Sequence, residues 1–136
     1  MSHHARVTVP AEHTAAVADA LLAVYSARAF ALAEYAERPD ARKLQDCRAA
    51  LADAESALEV FGWERRSHLD AAELTGTSAL VGEVLSCAVV DATQALGAAF
   101  GEYGLGEERL PAVEQAGTRL AALLRLFVAF EEEQSL

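Results

Sequence analysis

Apolar side chains return every three or four positions over four long stretches of the chain, the period of an amphipathic helix. In the first stretch Val17, Leu21, Val24, Tyr25, Leu32 and Tyr35 share one face. Pro10 suits its first turn, where a missing N–H costs nothing. Arg38-Pro39 ends it, because the residue before a proline avoids the helical region. The pattern predicts a helix over 10–37. A second helix, over 40–60, carries a narrow seam of Leu44, Cys47, Leu51, Ala54, Leu58 and Phe61, with Gly62 as its stop. A third, over 78–103, has its main face in Val81, Val84, Leu85, Ala88, Ala92, Ala95, Ala99 and Tyr103 and is apolar around most of its circumference, as a buried helix is. Gly104-Leu105-Gly106 forms a turn. A fourth helix over 107–133 has Pro111 near its first turn. Its core face is Val113, Ala116, Gly117, Leu120, Leu124 and Phe127, widened by Leu123, Leu126 and Phe130.

Between the second and third helices, Ser67-x-x-Asp70 and Asp70-x-x-Glu73 carry the acidic and hydroxyl signals of a helix start. They predict a short extra helix over 68–74. Residues 1–9 read as a solvated tail. Short connections make consecutive helices antiparallel neighbours. The expected fold is therefore all-α: one domain over 1–136, an antiparallel up-down-up-down four-helix bundle with a short extra helix between helices 2 and 3.

Composition agrees with this reading. Alanine occurs 31 times and leucine 18 times, against three prolines, and both are strong helix formers. A chain of 136 residues suffices for one continuous core without staples. Charge narrows the partners. There are 11 basic and 21 acidic residues, a formal net charge of −10. That excess repels phosphate backbones, so nucleic acid is not an expected partner, and a basic protein surface fits better. Arg65, Arg66 and Arg109 are the residues a nucleic-acid factor would have to use. Cys47 and Cys87 form no framework and read as small core residues. The first ten residues lack a signal peptide's apolar region, and 78–90 is too short and interrupted to span a bilayer. The expectation is a cytoplasmic protein with no membrane partner.

Three groups of residues carry candidate chemistry. Arg28 falls on the core face of the first helix, where a guanidinium must be paired or reach water. Asp91 on the third helix is its expected partner. Together with Tyr25, Tyr35 and Tyr103 the pair would line any internal pocket. Trp63, Arg65, Arg66 and His68 combine an aromatic platform, two guanidinium groups and an imidazole on a segment that reads as a loop, where ligands and partners are often held. Gly82, Ser86, Thr93, Gly97 and Gly101 form a small-residue face on the third helix. A helical glycine is costly, so several on one face imply close approach by another helix. Phe30, opposite the core face of the first helix, adds an exposed aromatic. These last six residues are the expected oligomer interface.

Catalytic and metal patterns are missing. No Glu-x-x-His pair, H-E-x-x-H, G-x-S-x-G or phosphate loop occurs, and only His13 and His68 lie outside the N-terminal pair. No catalytic residue, metal or cofactor is assigned, and no motif ties the chain to a known family. The expected function is non-enzymatic: a self-associating acidic module that binds protein or regulates through it. The alternative is a small-molecule-binding bundle, or a minor enzyme, with a pocket near Arg28 and Asp91.

Overall fold

The computed structural model describes residues 4–37, 40–103 and 110–135. The protein is mostly helical, with four long helices and one small sheet. In chain order the elements are β1 (His4–Pro10), a 3-10 turn (Ala11–His13), α1 (Thr14–Tyr35), α2 (Ala41–Ser67), β2 (Ala71–Thr77), α3 (Ser78–Tyr103) and α4 (Leu110–Gln134). The four helices stand where the three-to-four periodicity predicts them, and α3 has the predicted bounds. The predicted turn at 104–106 and helix start at 107–109 lie outside the described residues.

The sheet corrects the all-α expectation at two places. Residues 4–10, within what reads as a tail, form β1, which pairs antiparallel with β2 from His4↔Thr77 to Pro10↔Ala71. Residues 71–77 are strand rather than part of a short helix over 68–74. The physical reason is a period of two. Ala5, Val7 and Val9 point inward while His4, Arg6 and Thr8 point out; Ala72, Leu74 and Gly76 do the same on β2. The acidic residues that resemble a helix start serve the sheet instead. Glu73 accepts from the Thr8 hydroxyl and pairs with Arg6 at 3.6 Å.

A second correction concerns Gly62. Helix α2 runs through it to Ser67, so Trp63, Arg65 and Arg66 are helical rather than in a loop. Arg65 and Arg66 fill the last turn, where cations complement the exposed carbonyls. The chain leaves the helix at His68, which adopts an extended conformation.

Helix α1 packs on α2 and on α3, and α3 packs on α4. The sheet lies against α2 and α3. Core residues cluster around it: Val7 and Val9 from β1, Val17, Leu21 and Val24 from α1, Ala54 and Phe61 from α2, Leu74 from β2, Leu80, Val81, Val84 and Leu85 from α3, and Leu123 and Phe130 from α4. Among the described side chains none in 25–53 or 93–122 is buried. Tyr25 and Leu120, expected in the core, are half-buried against its edge, while Leu124 and Ala95 are exposed. The core therefore occupies one end of the molecule, and two helical hairpins extend beyond it.

By length and composition, Ala11–Tyr35 and Ser78–Gly101 are apolar enough to cross a bilayer. Both stretches contribute buried residues to the core, although only 22% and 33% of their apolar windows is buried.

Candidate functional site

The guanidinium of Arg28 is largely buried, its side chain 15% exposed, and both terminal nitrogens have partners. Nη1 donates to the carbonyl of Ala50 at 2.7 Å and lies 3.8 Å from Asp53 Oδ2. Nη2 donates to Glu83 Oε2 at 3.0 Å. Asp53 in turn accepts from the Thr77 hydroxyl at 2.6 Å and the Thr77 amide at 3.3 Å. The Thr77 oxygen accepts from the amide of Leu80 at 3.2 Å, which caps the start of α3. One continuous polar network thus ties α1, α2, the end of β2 and the first turns of α3 at the boundary between core and hairpins.

Arg28 is therefore ion-paired at the edge of the core, on the core face of α1 as expected, but Asp91 is not its partner. Side chains on a helix lean toward its N-terminus. Arg28 reaches back toward the sheet end, where Asp53 and Glu83 lie. Asp91, two helical turns beyond Glu83, is exposed and meets the Cys87 thiol at 4.0 Å. Burial, helped by the charges of Asp91 and Glu83, raises the Cys87 pKa above its ordinary value. Arg28 lines none of the clefts at Glu64, Asp91 or His13, and the side chain of Tyr103 lies outside the described residues. Asp91 instead lines a small cleft of about 130 Å³ with Asp19, Arg119 and Leu123.

The segment from Trp63 to His68 comes together only in part. The Trp63 and His68 rings meet edge to face, with centroids 5.9 Å apart. His68 Nε2 lies 3.1 Å from Glu64 Oε2, the pairing that residues four apart on a helix permit. Glu64 also accepts from the Glu73 amide at 3.1 Å, joining α2 to β2. A cleft of about 510 Å³ opens beside them, lined by Glu64, His68, Leu69, Asp70 and Glu73. Leu69 at its rim is 91% exposed. Arg65 and Arg66 are exposed and line none of the clefts described. Arg109 lies outside the described residues.

The small-residue face of α3 divides. A Cβ on Gly82 would come within 3.1 Å of the Phe130 ring, so this glycine serves the chain's own α3–α4 packing and not an external interface. A Cβ on Gly97 or Gly101 would meet nothing within 4 Å. Ser86 is exposed, and so is Thr93, whose hydroxyl bonds back to the Val89 carbonyl. Phe30 is 67% exposed, as its position opposite the core face requires.

Several functional positions escape a reading by helical period. Asp53, Glu83 and Thr77 complete the Arg28 network; the Gly76-Thr77-Ser78 step before an apolar run is the available signal for the cap. His13 is buried with no partner for Nδ1, and clefts of about 360 and 320 Å³ flank it, walled by Arg119 and Arg125 of α4. On α4, Leu124, expected on the core face, is exposed together with Leu110 and Val128. Among the described residues no group of three or more His, Cys, Asp or Glu is arranged to hold a metal ion. Comparison with protein-family models, with curated proteins and with solved structures finds no match in any of the three.

Proposed function

We propose that this protein is a non-enzymatic interaction module that works by presenting apolar helical surface to another protein chain. One observation carries the reading. A compact monomer of 14.4 kDa exposes about 6,800 Å² by the usual scaling of area with mass. This chain exposes 8597 Å². Among the described residues, Leu22, Phe30, Val90, Phe100, Leu124 and Val128 on the helices are exposed. Monomeric proteins seldom leave that much apolar surface in water without a partner for it.

The reading places the protein in the cytoplasm, with no nucleic acid, membrane or cofactor among its partners. In it the four helices run up-down-up-down, and the bundle expected from the periodicity is completed by a bound chain rather than within one molecule. Net charge −10 favours a basic foreign partner through long-range attraction. A second copy is the other candidate, favoured by apolar rather than charged faces. A pocket near Arg28 and Asp91 is the weaker reading, because the cleft that Asp91 lines holds only about 130 Å³ and Arg28 is not part of its wall.

Photo-crosslinking from inside the native cell tests the proposal. A photoreactive residue at Leu124 or Phe30 is expected to give discrete protein adducts, whereas one at the exposed Arg42 gives none. Absence of discrete adducts from both apolar positions would defeat the reading.

A further inference from the structure

We propose that His13 and the arginines of α4 hold a small organic acid, its carboxylate between the imidazole and a guanidinium and its apolar part in the adjoining cleft. The site goes beyond the interaction-module reading and uses none of the exposed apolar side chains that carry it.

The imidazole sits on a fixed piece of backbone. The Ala11 amide donates to the Asp70 carbonyl at 2.9 Å, which ties the 3-10 turn to the start of β2. The Thr14 hydroxyl donates to the Ala11 carbonyl at 2.9 Å and closes the turn. His13 ends that turn and is only 8% exposed. Its Nδ1 is buried and has no hydrogen-bond partner among the described residues. An apolar side chain would fill the same space without stranding a nitrogen. A buried N–H without an acceptor is rarer than a buried acceptor without a donor, so the neutral ring carries its proton on Nε2. Nε2 is the nitrogen left on the cleft side, since the ring lines two clefts and Nδ1 is enclosed. His13 thereby offers a donor to whatever fills them.

Helix α4 supplies the opposite wall. Gln115, Thr118 and Arg119 line the cleft of about 360 Å³. Ala122, Arg125, Leu126 and Ala129 line that of about 320 Å³, with Pro10 from the end of β1. These positions recur every three or four residues, so one stripe of α4 faces His13. Both volumes reach the range of small-ligand pockets. Arg119 and Arg125 are six residues apart, about 9 Å along the helix axis, one in each cleft. Neither is ion-paired among the described residues.

Charge selects an anion. Glu12 is the one carboxylate among the lining residues of the two clefts, against two guanidinium groups. The place is therefore locally positive in a chain of net charge −10. Asp19 and Asp91 meet Arg119 in a separate cleft. The contrast between the two clefts selects the rest of the ligand. Gln115, Thr118 and Arg119 offer hydrogen bonds to a carboxylate, whereas Pro10, Ala122, Leu126 and Ala129 offer an apolar wall. Arg125 adds a second positive charge beside that wall.

Titration of the full chain with octanoate, followed by calorimetry and by 1H–15N spectra, tests this. Octanoate is expected to bind saturably and to shift the resonances of His13, Arg119 and Arg125. Octylammonium, equally long and of opposite charge, is expected not to bind there, and inorganic phosphate only weakly. Arg119→Gln and His13→Phe should each weaken octanoate binding by ~10-fold, with far-UV circular dichroism unchanged. Glu12→Gln should tighten it by ~2-fold or more, because the opposing charge is gone. Should His13→Phe lose its fold, Arg119→Gln and Arg125→Gln stand in its place, since both arginines are exposed.

No saturable octanoate binding up to ~10 mM would overturn the proposal. So would octylammonium binding as tightly as octanoate, which is apolar adhesion alone, or folded arginine variants that bind like the wild type. Phosphate binding as tightly as octanoate would remove the apolar half of the site and the organic ligand with it. An acidic peptide that binds where octanoate does not would replace the small molecule by a protein segment and overturn the proposal as well.

Discussion

The half of the molecule at the sheet and the half beyond it are built from the same four helices with the same hydrophobic period, yet only the first has a dry interior. Near the sheet, α1 meets α2, α3 and β1, and Val17, Leu21 and Phe61 are closed over from several sides. Farther out, Leu32, Leu44, Cys47 and Leu51 lie along the α1–α2 pair and stay half-buried. The outer residues are no less apolar. What they lack is a third surface, and burial depends on how many elements converge as much as on which face a side chain occupies.

Substitutions separate the two halves. The largest difference is expected between Leu74, fully buried on β2, and Leu32 on the outer part of α1. Leu74→Ala should cost roughly 2–5 kcal/mol, and Leu32→Ala clearly less, in urea denaturation followed by circular dichroism. Equal losses would mean that the outer half is as well packed as the inner. Next comes Gly76, where an added Cβ would lie 2.8 Å from Leu80 Cδ2 and 3.4 Å from Asp53 Oδ1. Gly76→Ala should destabilise by about 1–3 kcal/mol as Leu80 is forced aside, whereas Gly97→Ala on the open part of α3 should stabilise by up to about 1 kcal/mol. If both changes had the same sign, the contrast in packing would fail.

Arg28 stands at the border between the halves. Arg28→Met leaves Asp53 partly buried without its cation and should cost about 1–3 kcal/mol. Adding Asp53→Asn should recover part of that loss, because the stranded carboxylate is gone. A purely additive pair would remove the network from the account. The smallest effect is at Cys87. Its raised pKa means that the folded state favours the neutral thiol. The linked stability is therefore whole below the ordinary thiol value and is lost as pH rises through the folded one. Alkylation of Cys87 should accordingly reach its half-maximal rate at a higher pH than that of a thiol in a short peptide, measured by mass spectrometry.

The helices were legible because their signals are local and repeated. Val81, Val84, Leu85 and Ala88 state a helix without help from the rest of the chain. The strands were not, for a physical reason. Ala71-Ala72-Glu73 has little strand preference of its own and becomes strand because 4–10 lies beside it, sixty-odd residues away in sequence. Gly62 misled because glycine ends a helix only where the next residues leave it, and Glu64, Arg65 and Arg66 are good helix formers. The buried arginine was visible from its place between Tyr25 and Leu32. Its partners were not, because choosing among Asp53, Glu83 and Asp91 needs the relative level of three helices. On α4 the core face was misplaced in part, because apolar residues occur on both sides of the helix and periodicity alone does not choose between Leu123, which is buried, and Leu124, which is exposed.

Pairing of residues 4–10 with 71–77 also fixes an order of assembly. The α1–α2 hairpin involves near neighbours and closes early, while β1 joins β2 only across a long chain closure with a larger entropic cost. On a ribosome the first strand emerges first and waits, unmated, until some seventy residues have followed it. Its exposed N–H and C=O groups are then a transient liability that the alternating Arg6 and Thr8 help to keep soluble.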